Sequence, residues 1–252
     1  MQVERIGFTP LKGGRHVEHP SVELDPEGPV GDRVLCLVDP TRDRILRTVD
    51  HPALLRAVVS LDAGRLSVAL DGMLIEGLPE PTGRRRKADY WGRQVEVEEV
   101  GGPWADTFSA LVGRPVLLAR AAVAGEVVYG GAVSLVATAS LADLSVPAGG
   151  PVAGARFRPT FVVATRTPLE EAGWIGRELT IGSAVVRVRG AVPRCAVVDL
   201  DPVSGSRDRP VLQALARYGR VQGEVTFGVD AEVVRPGRVA TGDRLVVGGV
   251  GV

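Results

Sequence analysis

Two short arginine-bearing segments hold the side chains best suited to chemistry. In Ala191-Val-Pro-Arg-Cys-Ala-Val-Val-Asp199, Cys195 directly follows Arg194. A neighbouring guanidinium favours thiolate over thiol, and the thiolate is the form that binds metals or attacks electrophiles. By local context alone, the same residue also reads as a small buried structural cysteine. In Ala155-Arg-Phe-Arg-Pro-Thr160, Arg156 and Arg158 stand two apart on a strand-like stretch and are expected to point to one side. Their planar forks suit phosphate or carboxylate, and a salt-bridged sheet edge is the equal alternative.

Other constellations have simpler readings. His16 and His19 share a turn-rich stretch with no third or fourth ligand nearby, and read as surface histidines. Glu170 and Glu171 are adjacent, so their side chains diverge and spacing alone makes no acid/base pair. Asp199 and Asp201 read as stabilisers of the turn at Asp201-Pro-Val-Ser-Gly205. Arg84-Arg-Arg-Lys87 follows Pro79-Glu-Pro-Thr-Gly83 and reads as an exposed, solvated loop. The sequence holds no Walker loop, zincin helix or G-x-S-x-G elbow.

Composition narrows the field. The 252 residues allow one large domain or two small ones. Hydrophobic residues at 45% and charged residues at 24% give a globular balance. Thirty basic residues cancel thirty acidic ones, which removes the electrostatic argument for a dedicated nucleic-acid binder. Two cysteines, Cys36 and Cys195, cannot build a disulfide framework, a zinc ribbon or a four-cysteine iron–sulfur cluster. The longest uncharged run, Val127 to Ala142, is too short for a membrane span. The N-terminus enters a strand-like pattern with no apolar signal region, so a cytoplasmic protein without a membrane partner is expected.

The elements that must position these residues read mostly as short strands broken by Gly, Pro and Asp. Val34–Val38 is an apolar run ending at Asp39-Pro40. Leu66–Leu70 and Met73–Ile75 flank Asp71-Gly72, a hairpin turn signal. Gln94–Glu98 alternates with period two, which predicts one wet face. Phe161–Ala164, Ala184–Val188, Ala196–Leu200, Glu224–Val234 and Arg238–Val247 continue the pattern. Helices are predicted at Trp104–Val112 ending at Gly113, at Ser140–Leu144, and at Asp208–Tyr218 ending at Gly219. The glycine-rich close, Val247 to Val252, reads as a tail, and a domain boundary falls between Gly113 and Tyr129.

Taken in order, several segments resemble the MOSC superfamily, in the form that carries an extra N-terminal β-barrel domain, like the mitochondrial amidoxime-reducing component and its bacterial relatives. They are Phe8-Thr-Pro-Leu-Lys12-Gly, Gly31-Asp-Arg33, Ser140-Leu-Ala-Asp-Leu144 and Arg156-Phe-Arg-Pro159. Glu170-Glu-Ala-Gly-Trp174, Leu179-Thr-Ile-Gly182, Pro193-Arg-Cys195, Asp201 to Gly205, Phe227-Gly228, Pro236-Gly237 and Gly242-Asp243 complete the series. The resemblance implies a mainly β chain: an N-terminal β-barrel-like domain over residues 1–115, then a MOSC β-barrel with a few short helices over residues 116–252.

The resemblance also implies roles. Cys195 would be the molybdenum ligand and the catalytic residue. Lys12, Arg33 and Arg158 would contact the phosphate end of the pterin, with Arg156, Thr160 and Arg194 completing the binding set. The cofactor would be the molybdenum cofactor, with no pyridoxal phosphate, lying between the domains. Three positions depart from the family pattern: Gly13 stands where a serine is usual, Thr160 where an asparagine is usual, and Tyr129-Gly-Gly-Ala132 where an Asp and small hydroxyl residues are usual. Backbone N–H groups are expected to substitute there. The implied activity is a molybdenum-cofactor oxidoreductase acting on small N-hydroxylated substrates. With too few cysteines for a cluster, it would draw electrons from a separate ferredoxin- or haem/flavin-type protein. The alternatives are a cofactor or sulfur carrier without turnover, and a divergent pathway-specific enzyme that has lost the metal.

Overall fold

The computed structural model describes residues 1–217 and 223–250. The chain opens with β1 (Gln2–Phe8), β2 (Val17–His19), β3 (Ser21–Asp25) and β4 (Gly28–Pro29), then β5 (Leu35–Asp39) and β6 (Arg44–Ile45). A meander of β7 (Val58–Asp62), β8 (Arg65–Leu70) and β9 (Met73–Gly77) leads to β10 (Glu80–Tyr90), β11 (Arg93–Gly101), α1 (Trp104–Val112) and β12 (Leu117–Ala121). The second half runs β13 (Val133–Ala137), α2 (Thr138–Ser145), β14 (Phe161–Ala164), β15 (Arg177–Ile181) and β16 (Ala184–Pro193). It ends with α3 (Val211–Leu215), β17 (Thr226–Arg235), β18 (Gly237–Ala240) and β19 (Leu245–Val250). The fold is mainly β, as the sequence predicts. Among the described residues, no helix is long and apolar enough to cross a membrane.

Two sheets define the molecule. Strands β10-β11-β12-β5-β6 close on themselves through one parallel pair, Arg44 with Asp89. The other sheet has eight strands in the order β19-β15-β16-β17-β13-β14-β1-β2. The expected division at residues 115 and 116 is crossed by this pairing. β1 lies antiparallel to β14 in the second half, and β3 pairs with β18. The cause is apolar burial, because Val3 and Ile6 of β1 fill the same core as Leu135, Phe161 and Val229. The start of the chain is thereby fixed to the second half before it enters the first.

Local patterning accounts for the elements that the sequence identifies. β8 buries Leu66, Val68 and Leu70, and β11 buries Val95 and Val97 while Gln94 and Glu96 stay wet. The Asp71-Gly72 turn has both residues at positive φ, +51° and +83°, as a two-residue hairpin requires. α1 buries Trp104 and Phe108 and stops at Gly113, whose φ of +73° is the left-handed cap.

Other expectations are corrected. Ala196–Leu200 is not a strand: Ala196–Asp199 forms a 3-10 turn. Arg84–Lys87 lies within β10 rather than a loop; Arg84, Arg85 and Lys87 are exposed, while Arg86 is half-buried against Glu99. The stretch Arg238–Val247 divides into β18 and β19, and the supposed tail is strand as far as Val250. The Asp208–Tyr218 helix shortens to Val211–Leu215, because Asp208 is committed to Arg156 while Asp199 accepts the Leu212 N–H at 2.7 Å. Tyr218 and Gly219 lie outside the described residues. His16 is buried, its Nδ1 3.4 Å from the Arg5 guanidinium, rather than on the surface.

Cys36 on β5 is enclosed by Val38, Ile45, Ala88, Val95 and Val97, and burial pushes its thiol up to about 12. A hydroxyl in its place would sit among the same apolar side chains. Cys36→Ser should therefore destabilise the protein by about 1–3 kcal/mol, read as a shifted urea midpoint. An unchanged midpoint would contradict the closed packing of this barrel.

Candidate functional site

The site is built from three loops that meet where the two halves face each other. The first follows β1. Leu11 is fully buried and bridges to Leu35, and the Lys12 N–H donates to the Leu35 carbonyl at 2.7 Å, so Lys12 is anchored through its backbone. The second loop precedes β5 and carries Asp32 and Arg33. Asp32 is buried; its Oδ1 accepts the Thr9 N–H at 3.2 Å and its Oδ2 accepts Arg33 Nε at 2.8 Å. Arg33 itself takes a φ of +47°, and its N–H donates to the Thr9 carbonyl. The third loop precedes β14, where Arg158 at φ +53° reaches across to donate to the Gly14 carbonyl at 2.8 Å. These contacts bring Lys12, Arg33 and Arg158 together on one cavity of about 830 Å3.

Cys195 is exposed on the wall of the same cavity. β16 delivers it: the strand ends at Pro193, the Arg194 N–H donates to the Val225 carbonyl, and Cys195 begins the 3-10 turn. The Arg194 guanidinium is mostly committed to the backbone, although its Nη2 has no hydrogen-bond partner among the described residues. Its Nε donates to the Phe227 carbonyl and its Nη1 to the Phe157 carbonyl, each at 2.8 Å. It is a clamp that fixes the cysteine loop between the start of β17 and the 3-10 turn ahead of β14.

The paired arginines of the second segment separate. Gly154–Phe157 is a 3-10 turn, not strand, so Arg156 and Arg158 point to different surroundings. Arg156 is buried and donates to the Leu200 carbonyl at 2.7 Å and to Asp208 at 2.8 Å, which holds the turn after Cys195 against the start of α3. Thr160 does not line the cavity. Its Oγ1 accepts the Ser134 N–H at 3.1 Å, and Ser134 Oγ accepts its N–H in return. Ser134 lines the cavity, so Thr160 positions a wall. Glu171 is likewise structural, accepting from Ser140 Oγ at 2.8 Å.

Two glycines are explained by geometry. Gly13 has a φ of +91°, where a serine would be strained, so the missing hydroxyl follows from the backbone. Gly205 closes the Asp201 turn with the Pro52 carbonyl only 2.1 Å from where a Cβ would stand, which joins the two halves. The turn is made by Asp201, whose Oδ1 accepts the Ser204 N–H at 2.7 Å. Sequence reasoning missed Trp91, Arg47 and Asp230 on the cavity wall. Trp91-Gly92 joining β10 to β11 carries the one available signal, a bulky residue where a turn calls for Asn or Asp.

Burial, and then like charge, sets the electrostatics. Burial draws the Lys12 ammonium down to about 7, Arg33 and Arg158 push the same way, and Asp32 and Cys195 oppose them. Burial and then Arg33 lower Arg158 to about 10, and burial lowers Arg194 to about 10. His16 falls well below its usual value through burial, Arg158, Arg5 and Arg33, which keeps it neutral beside the cations. The Lys12 ammonium stands 5.0 Å from the Tyr90 ring centroid and has no hydrogen bond or ion pair among the described residues.

A sign follows for stability. Lys12 titrates near 7 in the fold against 10.5 for the free side chain, so between those values the unfolded chain holds a proton that the folded chain lacks. Stability from this group therefore rises with pH across that window, and the cost of the buried charge is complete below about pH 7. Lys12→Met should raise the melting midpoint at pH 6 and lose that advantage as pH nears 10. A variant less stable than the parent at pH 6 would contradict a net cost of holding the Lys12 charge in the fold.

The family model of the MOSC domain matches residues 123–246. A molybdenum cofactor sulfurase of Anopheles gambiae is 36% identical over 75 residues, which is 29% of this chain and 9% of that protein. That of Danio rerio is 34% identical over 74 residues, again 29% of this chain and 8% of the relative. The chain thus spans less than a tenth of the length of these curated relatives. The crystal structure of the YuaD protein from Bacillus subtilis shares the fold, with a TM-score of 0.51 at 14% identity over 98% of this chain and 94% of that one. On this match, residues 123–246, the second half of the chain, form a MOSC domain.

Proposed function

We propose that the cavity holds the molybdenum cofactor and that the chain is an oxidoreductase for small N-hydroxylated substrates. One observation carries this reading: an exposed thiol and three cations from distant segments share a single cavity between the two halves. Lys12, Arg33 and Arg158 would hold the phosphate end of the pterin, since charge-assisted bonds to phosphate suit ammonium and guanidinium donors. Cys195 would give a soft thiolate to the metal. Arg156, Thr160 and Arg194 enter as positioning residues that fix the turn after Cys195, the Ser134 wall and the cysteine loop.

The residues fit this group on charge and on ligand count. Among the described residues Asp32, on Arg33, is the one carboxylate bonded to any of the three cations, so an incoming anion relieves their repulsion. A single thiolate cannot hold a metal alone, and no group of three or more His, Cys, Asp or Glu side chains gathers among the described residues. The remaining ligands must therefore come with the group itself, as dithiolene sulfurs would. When bound, it supplies two-electron redox chemistry at the metal. The chain's part is to anchor the phosphate, offer Cys195 and shape the cavity. The net reaction takes up two electrons and two protons, cleaves the N–O bond and releases water.

A carrier without turnover is the second reading, and a specific contact favours it. The Gly131 N–H, one of the backbone donors expected to replace the missing hydroxyl residues, is taken by Asp230 at 2.8 Å. With Gly13 also lacking a hydroxyl, fewer donors face the cavity, and a loosely held cofactor suits transfer.

Two experiments test these readings. Cys195→Ser should abolish turnover of benzamidoxime and lower bound molybdenum, because a hydroxyl is a harder and mostly protonated ligand. The exposed position should leave the melting midpoint of the cofactor-free protein nearly unchanged. Full activity in this variant would end the proposal, and parent protein that binds molybdenum without turnover would select the carrier. Electrons should come from a separate ferredoxin- or haem/flavin-type protein at a transient surface. Efficient turnover with NADH and no added carrier would contradict that.

A further inference from the structure

We infer that Trp91 and Tyr129 form a docking wall for the planar aromatic ring of the substrate, an inference that rests on the small-molecule reading above. Trp91 sits in the turn between β10 and β11, and Tyr129 precedes β13, so the wall is built from both halves. Their ring centroids are 5.5 Å apart with planes inclined by 46°, and both residues line the cavity that bears Cys195. They are 47% and 52% exposed, whereas Trp104, Trp174 and Tyr90 are buried. Large apolar rings left in water at a cavity wall mark a surface that something else covers.

The backbone points the same way. Trp91 and Gly92 have φ of +56° and +80°, the geometry of a two-residue hairpin turn that Asn-Gly or Asp-Gly fills without strain. A bulky ring at positive φ is a genuine outlier, and such strain gathers at functional sites. The ring is also held in place. The Arg47 guanidinium lies 4.5 Å from its centroid and is itself fixed by Asp50, which accepts from Nε at 2.7 Å. Beside Tyr129, Asp230 accepts the Gly131 N–H through Oδ2, which sets a carboxylate next to the wall. An aromatic ring with an N–H-bearing head matches both parts: the ring stacks on the aromatics and the head donates to Asp230.

The test uses the full chain free of cofactor, so it does not depend on molybdenum. Trp91 is the exposed tryptophan, and its emission should change saturably with benzamidoxime and not with acetamidoxime. By calorimetry, Trp91→Phe should bind benzamidoxime within about threefold of the parent, because a planar ring remains. Trp91→Asn should weaken binding about tenfold while raising the melting midpoint, because Asn-Gly suits the turn. A merely structural Trp91 would lose stability instead. The inference is overturned by no response to benzamidoxime, by equal affinity for the two amidoximes, or by unchanged binding in Trp91→Asn. It is also overturned if neopterin binds at Trp91 and benzamidoxime fails to displace it, which would give the wall to the cofactor's pterin. Absence of molybdenum from protein made in a cofactor-competent host would count against the proposed function and leave this result standing.

Discussion

Lys12, Arg33 and Arg158 come from three separated segments, yet they share one cavity, where burial first and then Arg33 and Arg158 lower the Lys12 ammonium to about 7, and Asp32, bonded to Arg33, is the carboxylate among them. Such a cluster repels itself, so the surrounding fold must hold it in place. The pairing of β1 with β14 carries the Lys12 loop to the second half, and Arg158 ties that half back to Gly14. Arg15 adds a third tie, donating to the Leu55 carbonyl in the first half and, at 3.0 Å, to the Val203 carbonyl in the second. Gly205 against Pro52 closes the same seam. The apolar cores of the two halves supply the stability, and the seam between them is where charge is left uncompensated.

Arginine serves two purposes around this cavity, and geometry separates them. Arg156 and Arg194 give their guanidinium N–H groups to carbonyls and a carboxylate, so they stiffen the loops on either side of Cys195. Arg33 and Arg158 keep donors beyond their single anchoring partners and face the cavity with Lys12. The same residue type thus builds the support and part of the cavity wall. That division suits a fold with only two lysines, Lys12 and Lys87.

Much of this was legible in the sequence where local chemistry decides. The Asp71-Gly72 hairpin, the α1 boundaries and the alternation of β11 depend on turn residues and periodicity, and those signals stand in the text of the chain. Cys195, Arg156 and Arg158 stand out by residue type, but Lys12, Arg33 and the separate roles enter only through a resemblance in segment order, since Arg156 and Arg158 look equivalent by spacing. Their separation depends on Asp208, fifty-two positions from Arg156, which no local window contains. The same contact shortened the α3 helix by removing its expected cap. His16 reads as a surface residue from its turn-rich neighbours, but its burial is set by tertiary packing against Gly7 and beside Arg5. Trp91 was overlooked because its turn was not recognised, although the Trp-Gly pair is visible.

The account's central claim is that the cation cluster and Cys195 together form a cradle for a phosphorylated molybdenum pterin. The most direct measurement is the content of molybdenum and of oxidised fluorescent pterin in protein purified from a cofactor-competent host. The account predicts that metal and pterin co-elute with the chain in equal amounts, and that both fall in a Lys12→Met/Arg158→Met protein that remains folded. Folded parent protein carrying neither molybdenum nor pterin would contradict it.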